Sequence, residues 1–180
     1  MIYLASSSPT RAKILKDYGV EFTQIPFSYD ESIIAKADPL TYAYEIVNLK
    51  HKQFCAAHKE LKNTLFADSC VVVNNEIYGK AQNEEEAYKM LKAQSQNEAS
   101  VISAMMFDGD NFNLLNLSIT TYKFSKFNED DLSNYLKSGD YKGKAGAMMI
   151  EGFNKKYILS QKGNTSTAMG LNVEILKAYL

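Results

Sequence analysis

The chain has 180 residues, 46% of them hydrophobic, enough to bury a core of one compact domain or of two small lobes sharing a cleft. Twenty Lys and Arg against 21 Asp and Glu leave a net charge of -1, so no overall basic field favours a nucleic-acid polymer or a membrane surface, and any anion site must be local. No apolar run approaches the ~20 residues that would span a bilayer, and strand-like residues follow Met1 with no basic segment, so a cytoplasmic protein is expected. The two cysteines, Cys55 and Cys70, lack a CxxC spacing and are read as buried thiols outside any metal cluster. His51 and His58, seven apart, are read as structural or surface residues.

In chain order, Ile2 to Ala5 predicts a strand, and Ser8-Pro9 an N-cap followed by the first helical position. Ala12, Leu15 and Tyr18 form a short helical stripe that Gly19 can stop. Asp38-Pro39 repeats the start signal for a long helix to about Leu61. Leu65 to Val73 predicts a core strand closed by Asn74-Asn75. Asn83 and Glu86 resemble a capping box for a helix whose apolar face is Ala87, Met90 and Leu91. Ser100 to Phe107 and Leu115 to Phe124 predict strands around an Asp-Gly-Asp-Asn turn, and Asn128 with Asp131 starts a helix that ends near Gly139. Strands are then expected at Ala145 to Ile150 and Lys156 to Ser160, followed by the polar loop GNTSTAMG and a C-terminal helix from about Leu171. Early helix–strand alternation followed by successive strands predicts a mixed α/β fold with a mixed sheet.

Two charges fall where apolar residues belong. Lys50 sits within the helical stripe of Ala43, Ile46, Val47, Phe54 and Ala57, so it either snorkels out or meets a negative partner. Asp68 shares a strand face with Phe66 and Cys70, where a carboxylate needs donors, a cation or a metal unless it caps a strand end in solvent. Lys80, in Gly79-Lys80 just past that strand, could reach the same cleft, although no P-loop pattern surrounds it. In LASSSPTR, a helix N-terminus with three serines and Arg11 fits either a phosphate site or an ordinary cap.

The ordered set of LASSSPTR, the acidic pair Asp30-Glu31, Leu49-Lys50, Ala67-Asp68-Ser69, GKAQNEEEA, KAGAMMIEG and the late Gly163 to Gly170-Leu171 resembles the Maf family of nucleoside triphosphate pyrophosphatases over essentially the whole chain. The resemblance implies a single Maf-like domain over 1–180. It also implies a mixed sheet with flanking helices in two lobes around a deep cleft, related to inosine triphosphate pyrophosphatases. By the same resemblance, a nucleoside triphosphate is cleaved between the α and β phosphates with a divalent metal, Mg²⁺ or Mn²⁺. Asp68 is then the general base, with Glu31 and Lys80 as catalytic partners; Asp68 and Glu31 are metal ligands; Ser6, Ser8, Arg11 and Lys50 hold phosphate. A homodimer is carried over from the family, as is the alternative of a non-catalytic nucleotide-binding regulator of cell division.

Thr10, Ser69 and Glu151 stand where family branches differ. Thr10-Arg11 and Glu151-Gly152 resemble the 7-methyl-GTP branch, whereas Ser69 resembles the threonine of the dTTP and UTP branch. A carboxylate at 151 can accept from a guanine N1–H and exocyclic amine, so a guanine-type base is expected, with pyrimidine triphosphates the alternative.

Overall fold

The computed structural model describes residues 1–180. Its elements are β1 (Ile2–Leu4), α1 (Pro9–Asp17), β2 (Phe22–Gln24), α2 (Pro39–Ala57), β3 (Thr64–Val73), β4 (Glu76–Tyr78), α3 (Glu84–Gln94), β5 (Glu98–Asp108), β6 (Asn113–Phe124), α4 (Glu129–Ser138), a 3-10 turn (Phe153–Tyr157), β7 (Ile158–Lys162), α5 (Thr165–Ala168) and α6 (Val173–Tyr179). The strands form one mixed sheet in the order β2-β1-β3-β5-β6-β7, with β4 beside β3. β1 is parallel to both β2 and β3, and the remaining pairs are antiparallel. This is the mixed α/β class expected from the sequence. No helix is long and apolar enough to cross a membrane.

The start signals act as predicted. Ser8 Oγ accepts from the Arg11 amide at 3.3 Å with Pro9 at the first helical position, and Asp38 accepts from the Thr41 amide at 2.8 Å. Asn83 caps the Glu86 amide, but the Glu86 carboxylate accepts from the Gln82 amide, one residue ahead of the position a capping box would use.

The alternation of β3 and β5 sends their residues to two differently covered faces. One face is covered by α2, where Ile46, Val47 and Phe54 pack on Phe66, Ile102 and Ala104. The opposite face carries two separate clusters. At one end Leu4, Leu15, Leu65, Met105 and Leu176 join β1, α1 and α6 to the sheet; at the other Val71, Val101, Leu91, Leu132 and Tyr122 pack with α3 and α4. Between them lie Ser69 and Ser103, cross-strand partners whose hydroxyls bond at 2.6 Å. A polar pair at that point interrupts the apolar face, and the cleft opens over it.

Several expectations need correction. Residues 145–150 form turns rather than a strand, with Lys80 to Ala145 the sole bridge, because positive φ at Gly143, Gly146 and Ala147 breaks an extended run. α2 stops at Ala57, not near Leu61. Lys156 and Tyr157 close the 3-10 turn, and the strand runs over Ile158–Lys162. The loop GNTSTAMG contains α5, and the short strands β2 and β4 escape sequence patterning because three-residue segments carry too little periodicity.

Candidate active site

The site exists because the ladder beside β3 is interrupted. β1 pairs with β3 only at Thr64 and Leu65, and β4 pairs only from Val71. The stretch between has no strand neighbour on that edge, and Asp68 and Ser69 are half-buried in the middle of the strand, between buried Ala67 and buried Cys70. Into the notch run the turn Ser6 to Ser8 at the end of β1, the 27–31 segment, the 142–151 turns and the end of α5. Together they enclose a cleft of about 470 Å³. All ten sequence-derived residues line it: Ser6, Ser8, Thr10, Arg11, Glu31, Lys50, Asp68, Ser69, Lys80 and Glu151.

Lys50 does not snorkel. It is buried, and its Nζ lies 2.6 Å from Asp68 Oδ1 and 3.0 Å from Glu31 Oε1. The Tyr29 ring lies 5.4 Å from the same ammonium, and its hydroxyl donates to the Ala5 carbonyl at 2.8 Å, tying the 27–31 segment to the end of β1. Burial, reinforced by Asp68 and Glu31, pushes the Tyr42 phenol up to about 12, so it stays neutral beside the carboxylates.

Arg11 is held on three sides. Its Nε donates to the Gly170 carbonyl at 2.9 Å, Nη1 to Ser6 Oγ at 3.3 Å and Nη2 to Ser69 Oγ at 3.4 Å. Burial lowers its pKa, with Asp68 and Glu31 opposing that shift, yet a guanidinium remains charged throughout the working range. Gly170 has φ +109°, and a Cβ there would approach Ser69 Oγ to 3.3 Å and the guanidinium to 3.6 Å, so this close approach needs glycine. The Ser8 cap and the Arg11 fork thus coexist: one hydroxyl closes the helix while the guanidinium faces the cleft.

The wall opposite is built by the turns at 142–151, where sequence patterning predicts a strand. The Gly146 amide donates to the Gly79 carbonyl at 2.8 Å, and the buried Gln94 side chain donates to the Gly146 carbonyl at 2.6 Å. This ties the Lys80 loop to residues 142–151 and brings in two cations outside the predicted site residues, Lys142 and Lys144, the second of which opens the KAGAMMIEG motif. Lys144 Nζ lies 3.3 Å from Glu151 Oε1. The lining now holds Arg11 and four lysines against Glu31, Asp68 and Glu151: five cations to three carboxylates in a chain of net charge -1. The clue available in the sequence is Lys142-Gly143-Lys144, but its place opposite Arg11 depends on long-range contacts.

A family model described as Maf-like protein matches residues 1–180. The chain belongs to the Maf family. Among curated relatives, one from Campylobacter jejuni subsp. doylei is 42% identical over the whole of both chains. Another, from Nitratiruptor sp., is 45% identical over 98% of this chain and 96% of its own. A third, from Helicobacter pylori strain Shi470, is 32% identical over 99% and 94%. Each is named nucleoside triphosphate pyrophosphatase.

Proposed function

We propose that the chain is a nucleoside triphosphate pyrophosphatase, hydrolysing the bond between the α and β phosphates to give a nucleoside monophosphate and pyrophosphate. The observation that carries this reading is the placement of the Asp68 carboxylate, 2.6 Å from Lys50, in the cleft that also holds Arg11 and the Ser6 to Ser8 turn. The names of the three relatives support the same reaction.

In this reading Asp68 takes a proton from a water whose oxygen attacks the α phosphorus. The bond from that phosphorus to the bridging oxygen breaks, and the electron pair leaves with pyrophosphate. Arg11 forks two phosphate oxygens, while Lys50 and Lys80 offset the charge that spreads over the leaving group. Lys50 also holds the Asp68 and Glu31 carboxylates aimed at one point.

Asp68 and Glu31 reach one positive charge together and offer only oxygen donors, which fits a hard divalent ion such as Mg²⁺ or Mn²⁺. When bound, such an ion neutralises charge on phosphate oxygens. The base would lie along the apolar wall of Val71, Val101, Met148 and Ile150, within reach of Glu151. A carboxylate acceptor there favours a guanine-type base, 7-methyl-GTP before dTTP or UTP. Thr10 and Ser69 flank the phosphate end and would adjust that choice.

A pyrophosphate-release assay across guanine and pyrimidine triphosphates, with Mg²⁺ or Mn²⁺, tests the reading. Release of pyrophosphate with the guanine nucleotide preferred supports it. Nucleotide binding without release from any member would overturn the reaction, and a pyrimidine preference would overturn the base assignment alone.

A further inference from the structure

We propose that His51, Cys55 and Asp108 form a second metal site, outside the nucleotide cleft and suited to a borderline transition ion such as Zn²⁺. His51 and Cys55 are four apart on α2, so their side chains emerge from the same helix face one turn apart. Asp108 ends β5 on the sheet face that α2 covers. His51 Nε2 lies 3.0 Å from Asp108 Oδ2, Cys55 Sγ lies 3.9 Å from the same oxygen, and one ligand atom from each residue falls within 4.8 Å of the other two. In a tetrahedral zinc site with bonds of ~2.0 to 2.3 Å, neighbouring ligand atoms are about 3.3 to 3.8 Å apart. The His51–Asp108 pair therefore opens by a few tenths of an ångström, Cys55–Asp108 is already near range, and the widest pair closes by about 1 Å, a side-chain rotamer adjustment.

The donor types separate this cluster from the cleft. One imidazole nitrogen, one sulfur and one oxygen suit Zn²⁺ and disfavour Mg²⁺, whereas Asp68 and Glu31 are all oxygen. With its amide nitrogen turned towards the carboxylate, Asn113 donates to Asp108 Oδ1 at 3.1 Å, leaving Oδ2 for the imidazole and thiol and supplying the outer support that ligating carboxylates need. All three residues are half-buried, so an ion can enter and water can take the fourth position. The exposed Lys62 ammonium, 4.0 Å from Asp108 Oδ2, is the competing cation and is free to swing away. Asp68 pairs with Ala104, four residues before Asp108 along β5, which separates the two sites by about 13 Å at ~3.3 Å per residue. An ion here would clasp α2, and with it Lys50, to the sheet.

A simple His51–Asp108 hydrogen bond would need neither Cys55 nor a metal, and that difference decides the experiment. Chelator-stripped full-length protein carrying Asp68→Asn, which removes a carboxylate from the cleft, is titrated with Zn²⁺ against a chromophoric chelator and separately with Co²⁺. One Zn²⁺ per chain is expected, with a thiolate-to-cobalt charge-transfer band. Cys55→Ser and Cys55→Ala, changes small enough to leave the fold intact by circular dichroism, should lose the band, and His51→Ala should weaken Zn²⁺ binding at least about tenfold. Absence of one-to-one binding, binding that survives both the Cys55 and His51 changes, or a Co²⁺ spectrum without the thiolate band would overturn the site.

Discussion

Replacing Lys50 by Met keeps the aliphatic stem that packs between Ile46 and Phe54 but deletes the charge that Asp68 and Glu31 share. Removing one partner of a fully buried pair costs about 3 to 5 kcal/mol because it strands an uncompensated charge. Here the Asp68 side chain keeps 15% of its exposure and Glu31 39%, so solvent recovers part of the loss and Glu31 contributes little. The expected destabilisation is therefore about 2 to 4 kcal/mol. For a chain of this size that lowers Tm by about 4 to 16 °C. The chain has no tryptophan, so far-ultraviolet circular dichroism in a denaturant series is the assay. Adding Asp68→Asn to Lys50→Met removes the stranded charge, so the double variant should be more stable than the sum of the two single losses by about 1 to 2 kcal/mol. An unchanged midpoint in Lys50→Met, or additive single losses, would refute the claim that these groups form one buried pair.

Other outcomes follow from neighbouring contacts. Gly146→Ala places a Cβ 2.7 Å from the Val71 Cβ at φ +60°, and should cost more than about 2 kcal/mol, whereas Gly19→Ala at φ +70° has nothing within 4 Å and should cost about 1; denaturant midpoints for the two separate packing from backbone conformation. Arg11→Lys loses the fork to Ser6 and Ser69, so KM for the triphosphate should rise about tenfold or more in steady-state assays. Glu174 is raised by burial but, on balance, lowered below its ordinary 4.5 by hydrogen bonds from Ser166 and Tyr18. Its stabilisation is thus present above about pH 4.5 and lost as pH falls through the depressed folded value, so thermal melts of wild type and Glu174→Gln should converge at acid pH and differ at neutral pH.

The parts of the site legible in the sequence are those where a charge violates a local pattern. Lys50 in an apolar helix stripe and Asp68 on the Phe66 and Cys70 face are conspicuous for that reason, and they are bonded to each other. The Ser8-Pro9 start signal likewise locates the turn that carries Arg11. Hidden from local patterning are contacts set by the sheet. Lys142 and Lys144 reach the cleft only because Gly146 packs on Val71 and its amide bonds Gly79, and the apolar run Ala145 to Ile150 imitates a strand while positive φ at Gly146 and Ala147 forbids one. The His51–Cys55 spacing is readable as one helical turn, but only the register of β5 supplies Asp108 as the third donor.

The central claim is that Asp68 activates the attacking water. Turnover and nucleotide affinity of Asp68→Asn, measured side by side by pyrophosphate release and calorimetry, test it most directly. The account predicts a fall in kcat of about 10² to 10⁴ with triphosphate Kd changed by less than about tenfold. Wild-type turnover in that variant would contradict it.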